Sequence, residues 1–232
     1  MLWQGQALWE VERAGSAGDW AFDSPSGWVI RDTLTARLHP RRACAALVAA
    51  LGACDVQIVA EHRPEGAVIH ATGVAGLAAL GAGLARSFGN GVKGQAALLA
   101  LDMRDAPQLF VDTVHIVPHA DGTVAIGSTS ERDYDDPAST DEQLDHVIAR
   151  ARAAVPALRD APVIERWAGV RPRSRSRAPV LGVHPVLKGQ FIANGGFKTG
   201  FGMAPKLAQV MAELVLDGVD NIPAGFRPEA SL

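Results

Sequence analysis

Three segments of the chain carry side chains or backbone suited to chemistry. The densest is Asn194-Gly195-Gly196-Phe197-Lys198-Thr199-Gly200-Phe201-Gly202, which follows a short apolar run and precedes a helical stretch. A glycine-rich loop feeding a helix N-terminus offers backbone N–H groups and a favourable dipole to an anion. It also lets a flat ligand approach the backbone closely. The alternative is a plain loop between strand and helix, which needs fewer glycines than stand here. A phosphate-binding loop of the G-x-x-x-x-G-K-[ST] type does not fit, because Phe197 occupies the place before Lys198-Thr199 that must be glycine. The second segment is Trp167-Ala168-Gly169-Val170-Arg171-Pro172. Arg171, braced by Pro172 at the end of a strand, suits a two-pronged grip on a carboxylate; taken alone, a surface arginine is the commoner explanation. Arg173, Arg175 and Arg177 alternate with serine and are expected in a solvated loop. The third segment is Val68-Ile69-His70-Ala71-Thr72-Gly73, a strand ending in small residues against which a cofactor could lie.

The elements that must position these residues are legible from periodicity. Pro40 opens a helix over 41–53, with Ala and Leu at helical spacing. Residues 55–59 alternate and predict a strand, and 67–71 predict a second. Further strands are expected at 28–30, 95–101, 114–118, 123–127, 163–169 and 191–194. Asp121-Gly122 between two apolar runs is a hairpin signal. A helix is expected over 141–154, with Ser139 and Glu142 or Thr140 and Gln143 as its capping box and Pro156 ending it. The last helix is expected over 205–217, with Pro205 near its start and Gly218 just past its end. Helices mix with hairpin-type strands, which predicts an α/β (mixed α+β) fold with parallel and antiparallel parts.

Bulk properties narrow the function. The 232 residues are 48% hydrophobic and 20% charged, a globular rather than a disordered balance. A net charge of −3 provides no electrostatic attraction for nucleic acid. Two cysteines, Cys44 and Cys54, are too few for a disulfide framework and fit a reduced, cytoplasmic protein. Met1 to Glu10 lacks the basic and apolar regions of a secretory leader. Gly66 to Ala85 carries no formal charge, but its glycines, His70 and Thr72 fit a strand, a turn and a short helix better than a membrane span.

Taken in order, the segments resemble FAD-dependent oxidoreductases of the D-amino-acid oxidase family, and within it the glycine oxidases of thiamine biosynthesis. Val-Ile-His-Ala-Thr-Gly resembles a cofactor-side strand of that family, and Val92-Lys93-Gly94-Gln95 the turn into its substrate domain. His115-Ile116-Val117-Pro118 with Asp121-Gly122 and Ile126-Gly127-Ser128-Thr129 resembles its substrate-domain hairpin. The segments around Arg171 and around Gly195 to Pro205 resemble its closing motifs. The resemblance implies a partial FAD-binding domain joined to a mixed, largely antiparallel substrate domain, with 1–38 and 93–165 on the substrate side and 39–92 and 166–232 on the cofactor side. It implies oxidation of the C–N bond of a small amino acid or amine by hydride transfer to the flavin, in a protein compatible with homo-oligomerisation. Arg171 matches the family's carboxylate-binding arginine, and His115 stands where relatives often have a substrate-holding tyrosine. Thr72, Gly73, Gly94, Gly195, Gly196, Phe197, Lys198, Thr199, Gly200 and Phe201 match cofactor-contacting positions, with Lys198 where relatives often carry arginine.

The family's strand and G-x-G-x-x-G loop have no counterpart near Met1; Gly81-Ala82-Gly83-Leu84-Ala85-Arg86 is the nearest match. That cofactor segment is therefore expected to be missing, leaving a truncated chain or a non-catalytic remnant that cannot hold FAD by itself. The hairpin usual between Val59 and Ala67 is expected to be abbreviated. Apolar surface is expected to lie exposed around Val68–Ala71 and Phe191–Asn194.

Overall fold

The structure is a computed structural model that describes residues 8–15, 18, 20–22, 24–61 and 65–232. Residues 1–7, within the stretch read for a leader, and residues 62–64 of the expected hairpin lie outside the described residues. In chain order, β1 (Trp9–Arg13), β2 (Trp28–Asp32) and α1 (Pro40–Ala53) precede β3 (Ile69–His70) and α2 (Gly73–Gly83). Next come β4 (Gly89–Ala100), β5 (Leu109–Val111), β6 (Val114–Pro118), β7 (Thr123–Gly127) and α3 (Glu142–Ala154). The chain ends with β8 (Val163–Ser174), β9 (Val180–Val183), β10 (Phe191–Asn194) and α4 (Gly200–Asp217). The residues fall into two compact units. One comprises Met1–Val59, Gln95–Thr129 and Ser139–Ala168; the other comprises Ala60–Gly94, Ser130–Ala138 and Gly169–Leu232.

The first unit is built on antiparallel pairing. β5, β6, β7 and β4 are hydrogen-bonded neighbours in that order, and β8 follows. Ile116 faces Ile126 across β6 and β7. The period of two puts Val114, Ile116, Val124 and Ile126 into one core. α3 covers that core with Leu144, Val147, Ile148 and Ala151, an i, i+3, i+4, i+7 stripe. The Asp121-Gly122 turn forms as expected, with His119 N–H donating to the Thr123 carbonyl at 2.8 Å and Gly122 at φ +83°.

The second unit is a small mixed sheet in the order β3-β10-β9, with β10 parallel to β3 and antiparallel to β9. Alternation divides its faces. Val180 and Ile192 pack with Leu77 and Leu80 of α2. Leu181, Phe191 and Ala193 pack with Val210 and Met211 of α4. The sheet is thus covered by one helix on each face, the arrangement that buries both sides of a short apolar strand.

Several expected elements differ. Residues 55–59 form no strand: α1 ends in a turn, with Asp55 at φ +58°, and Val56, Ile58 and Val59 stay exposed. α3 starts at Glu142, and Asp141 is its cap in place of either predicted box. α4 starts at Gly200, so the glycine loop runs into the helix and Pro205 lies inside it. β4 and β8 are each 12 residues long, because they extend past the predicted apolar cores. β1, β5 and β9 carry no turn chemistry that singles them out, and the sequence did not predict them. The expected exposure holds at Ile69, which is 44% exposed, and fails at Ile192, which is 1% exposed. β10 is the central strand of its sheet, and β3 is an edge. Among the described residues, no helix is long and apolar enough to cross a membrane.

Asp141 does two jobs in the first unit. Its carboxylate accepts from Gln143 N–H at 2.9 Å and from the Gln95 side-chain amide at 2.8 Å, while its own N–H donates to Gln95 Oε1 at 2.8 Å. Gln95 is fully buried. Asp141→Ala removes a helix cap and a partner of a buried amide, and is expected to lower stability by about 2–4 kcal/mol. Asp141→Asn should keep most of it, as read from urea unfolding midpoints.

Candidate functional site

Three of the singled-out segments meet in the second unit. Phe197 N–H donates to the Pro172 carbonyl at 3.1 Å, and Arg173 forms an antiparallel bridge with Gly196. The end of β8 that carries Arg171 is therefore laid along the glycine loop. Asn194 joins the third segment. Its Nδ2 donates to the Gly73 carbonyl at 2.9 Å, and its Oδ1 accepts from Gly195 N–H at 2.7 Å. Asn194 is 9% exposed, so this amide is an internal clamp. Gly76, one turn into α2, has no room for a side chain: a Cβ there would lie 1.9 Å from Thr72 Oγ1 and 3.1 Å from Asn194 Nδ2.

The clamp joins the start of α2 to the glycine loop that leads into α4, and both helices lack side-chain caps. Thr72 precedes α2 and Thr199 precedes α4; neither makes a side-chain cap bond, and neither helix has an acidic residue in its first turn. Thr199 turns its hydroxyl back to the Gly196 carbonyl, 3.2 Å away. The N–H groups and dipoles of both first turns stay available to an anionic group. Beside them lies an apolar cleft of about 520 Å³ lined by Ile69, Asn194, Gly196, Gly200, Leu207 and Met211. A cleft of this size with few polar groups suits a cofactor or small molecule. Phe197 is held at φ +43°, with Arg173 and Lys198 approaching its ring at 5.9 and 5.7 Å. Lys198, Thr199 and Phe201 are exposed.

Arg171 is set by a different device. A Cβ at Gly94 would sit 2.1 Å from both of its Nη atoms, so the guanidinium lies flat on the Gly94 backbone. Burial draws the Arg171 pKa below its usual value, and the Glu131 carboxylate raises it again. Arginine nevertheless stays charged at any physiological pH. Glu131 is anchored by a two-way backbone bridge to Lys93, both bonds 2.9 Å, and the Lys93 ammonium lies 3.7 Å from its carboxylate. Lys93 and Glu131 are 2% and 8% exposed. The cluster therefore gathers two cations around one carboxylate, a composition that favours a carboxylate ligand.

The second unit thus brings together Arg171, Gly94, Thr72, Gly73 and Gly195 to Phe201. Gly94, expected at the cofactor, lies under the arginine. His115 belongs to the first unit, exposed on β6 with its ring 4.5 Å from that of Phe110. Sequence inspection missed Asn194 as a clamp and the Lys93–Glu131 pair. The first could have been found from an amide side chain placed just before two glycines. The second had no signal, because 38 residues separate its members.

A family model for FAD dependent oxidoreductases matches residues 8–214. The glycine oxidase of Pseudomonas putida is 33% identical over 120 residues, which are 51% of this chain and 33% of that protein. The bifunctional protein ThiO/ThiG of a Synechocystis species is 32% identical over 125 residues, 53% of this chain and 19% of that protein. The matched parts of the curated relatives are therefore a third of their length or less. The crystal structure of glycine oxidase from Geobacillus kaustophilus superposes with a TM-score of 0.61 at 28% identity, covering 69% of this chain and 44% of that one. Iminodiacetate oxidase from Chelativorans sp. BNC1 superposes with a TM-score of 0.80 over 94% of this chain and 67% of that one; at 20% identity this is a likeness of fold.

Asn194→Ala should lower stability by about 2 kcal/mol, since it removes both the part-buried bond from Nδ2 to the Gly73 carbonyl and the acceptor of the Gly195 N–H. Asn194→Asp should not restore it, because a carboxylate cannot donate to a carbonyl. Urea unfolding of the two variants checks this; full recovery in the Asp variant would mean that the Nδ2 bond is not what matters.

Proposed function

The chain belongs to the FAD-dependent oxidoreductase family, and from that premise we propose that it oxidises the C–N bond of a small amino acid or amine, as its glycine oxidase relatives' name suggests. The observation that carries this reading is the Arg171 guanidinium, half-buried on Gly94 opposite Glu131, within the unit that also holds the glycine-rich helix N-terminus.

The residues present fit FAD. Thr72 and Gly73 at the start of α2, and Gly195 to Phe201 at the start of α4, would hold it. The fit rests on two helix N-termini without side-chain caps, the first tied to the glycine loop by Asn194, and on the apolar cleft beside them. FAD, when bound, supplies the two-electron acceptor for the oxidation. Arg171 grips the substrate carboxylate through two parallel N–H groups and so fixes which substituent of the adjacent carbon can face the acceptor. Glu131 keeps the guanidinium in place, and Lys93 holds Glu131. Ile69, Leu207 and Met211 give the cleft an apolar lining.

Absorbance of the purified chain after incubation with FAD tests cofactor binding. Anaerobic mixing with glycine, sarcosine and D-alanine then tests turnover through loss of the flavin bands. A retained flavin spectrum and bleaching by at least one of these amines is expected. A chain that cannot be loaded with flavin, or a loaded chain that no amine bleaches, overturns the proposal. Arg171→Met is expected to lower kcat/KM by about 100-fold, or about 2.7 kcal/mol, mainly through KM. Arg171→Lys should recover part of it, because a lysine keeps the charge and loses the fork.

A further inference from the structure

The first unit contains a second cluster of chemistry-bearing side chains, unrelated to the carboxylate grip. One ring nitrogen each of His39 and His119 and a carboxylate oxygen of Asp121 lie within 4.8 Å of one another. His39 stands at the residue before α1, while His119 and Asp121 lie in the turn of the β6–β7 hairpin. Two imidazoles and one carboxylate form a donor set for a borderline divalent ion. We propose that His39, His119 and Asp121 form a binding site for a divalent transition-metal ion of the Zn²⁺ type, which ties the start of α1 to the β6–β7 hairpin.

The hydrogen bonds around the cluster leave its nitrogens in the right form. The Thr123 hydroxyl donates to Asp121 Oδ1 at 2.6 Å. Its proton is thereby used, so its 3.3 Å contact with His119 Nδ1 requires that nitrogen to carry the hydrogen. His119 then presents a bare Nε2, the lone pair a metal needs. One threonine thus orients two ligands, as residues behind metal ligands commonly do. The hairpin fixes the pair further: His119 N–H bonds the Thr123 carbonyl and Gly122 N–H bonds the His119 carbonyl. His119 is 6% exposed and cannot swing into solvent.

His39 completes the set. Its Nε2 lies 3.4 Å from Asp121 Oδ2, and its Nδ1 is buried with no hydrogen-bond partner. The His39 and His119 rings stack with centroids 4.2 Å apart. Ligand atoms on a tetrahedral zinc sit roughly 3.3 Å apart, so the three groups need only draw together by small ring rotations. Both histidines line an apolar cavity of about 210 Å³ with Leu38, Val117 and Trp167, so the ion would keep a position open toward it. Arg42 opposes the ion: its Nη2 donates to Asp121 Oδ2 at 3.2 Å, from a largely exposed side chain. Arg37 is occupied with the carbonyls of Arg104, Ala106 and Pro118.

The test uses the full chain in a Cys44→Ser/Cys54→Ser background, which removes the two exposed thiols as competing ligands. Zn²⁺ is titrated against a colorimetric chelator. One saturable site per chain is expected. His39→Gln and Asp121→Asn should each weaken it at least tenfold, Thr123→Val about tenfold, and Arg42→Ala should tighten it several-fold. His39→Gln and Asp121→Asn decide the matter if a His119 variant does not fold, with circular dichroism confirming their folds. No saturable binding overturns the site. So does binding that the His39 and Asp121 variants leave unchanged, which would place the ion elsewhere.

Discussion

A guanidinium can leave water only if it has a flat surface to lie on and a counter-charge to face. Arg171 has both, and the way they are supplied organises the second unit. The flat surface is the backbone at Gly94, where any side chain would occupy the space of the guanidinium itself. The counter-charge is Glu131, which is pinned to Lys93 through a pair of backbone bonds and by the lysine's own ammonium. Lys93 and Gly94 are neighbours, so one dipeptide supplies both the floor beneath the arginine and the partner that holds its counter-charge.

The same economy of local geometry governs the glycine-loop side. β10 is only four residues long, yet alternation gives α2 one of its faces and α4 the other. Asn194 closes that strand, and its single amide reaches the first residue of α2 and the first residue of the glycine loop. The start of α2 is tied to the loop that feeds α4, and neither helix spends its first N–H groups on a side-chain cap. Where ordinary helices would be capped for stability, these are left open, and the amide clamp offsets that with buried bonds. α3 in the first unit, by contrast, is capped by Asp141 and covers a core rather than a cleft.

Much of this was legible in the sequence, and the parts that were not share a cause. Local chemistry announced itself: Asp121-Gly122 forms the predicted turn, Gly218 ends α4 in the left-handed region, and the β6 and β7 strands fall where alternation placed them. Residues 55–59 alternate like a strand but pair with no strand among the described residues, and they remain irregular. The glycine loop was recognised, but its second half is helix, since Gly200 and Gly202 are tolerated in a first turn whose N–H groups stay unpaired. Arg171 was named from its motif; what lies beneath and opposite it was not, because Gly94 and Glu131 reach it across long chain separations that periodicity does not encode. His39 and His119 were likewise invisible as a pair, being 80 residues apart and joined only by the fold.

The central claim is that Gly94 positions Arg171 to take a carboxylate. It is tested most directly by the affinity for acetate, which has the carboxylate of glycine and lacks the amine, measured from broadening of its methyl resonance. Gly94→Ala leaves every charge in place. If the backbone floor matters, Gly94→Ala should weaken acetate binding about as much as Arg171→Met does, by roughly tenfold or more, which is about 1.4 kcal/mol. Acetate binding by Gly94→Ala that equals the wild type, while Arg171→Met loses it, would contradict the account.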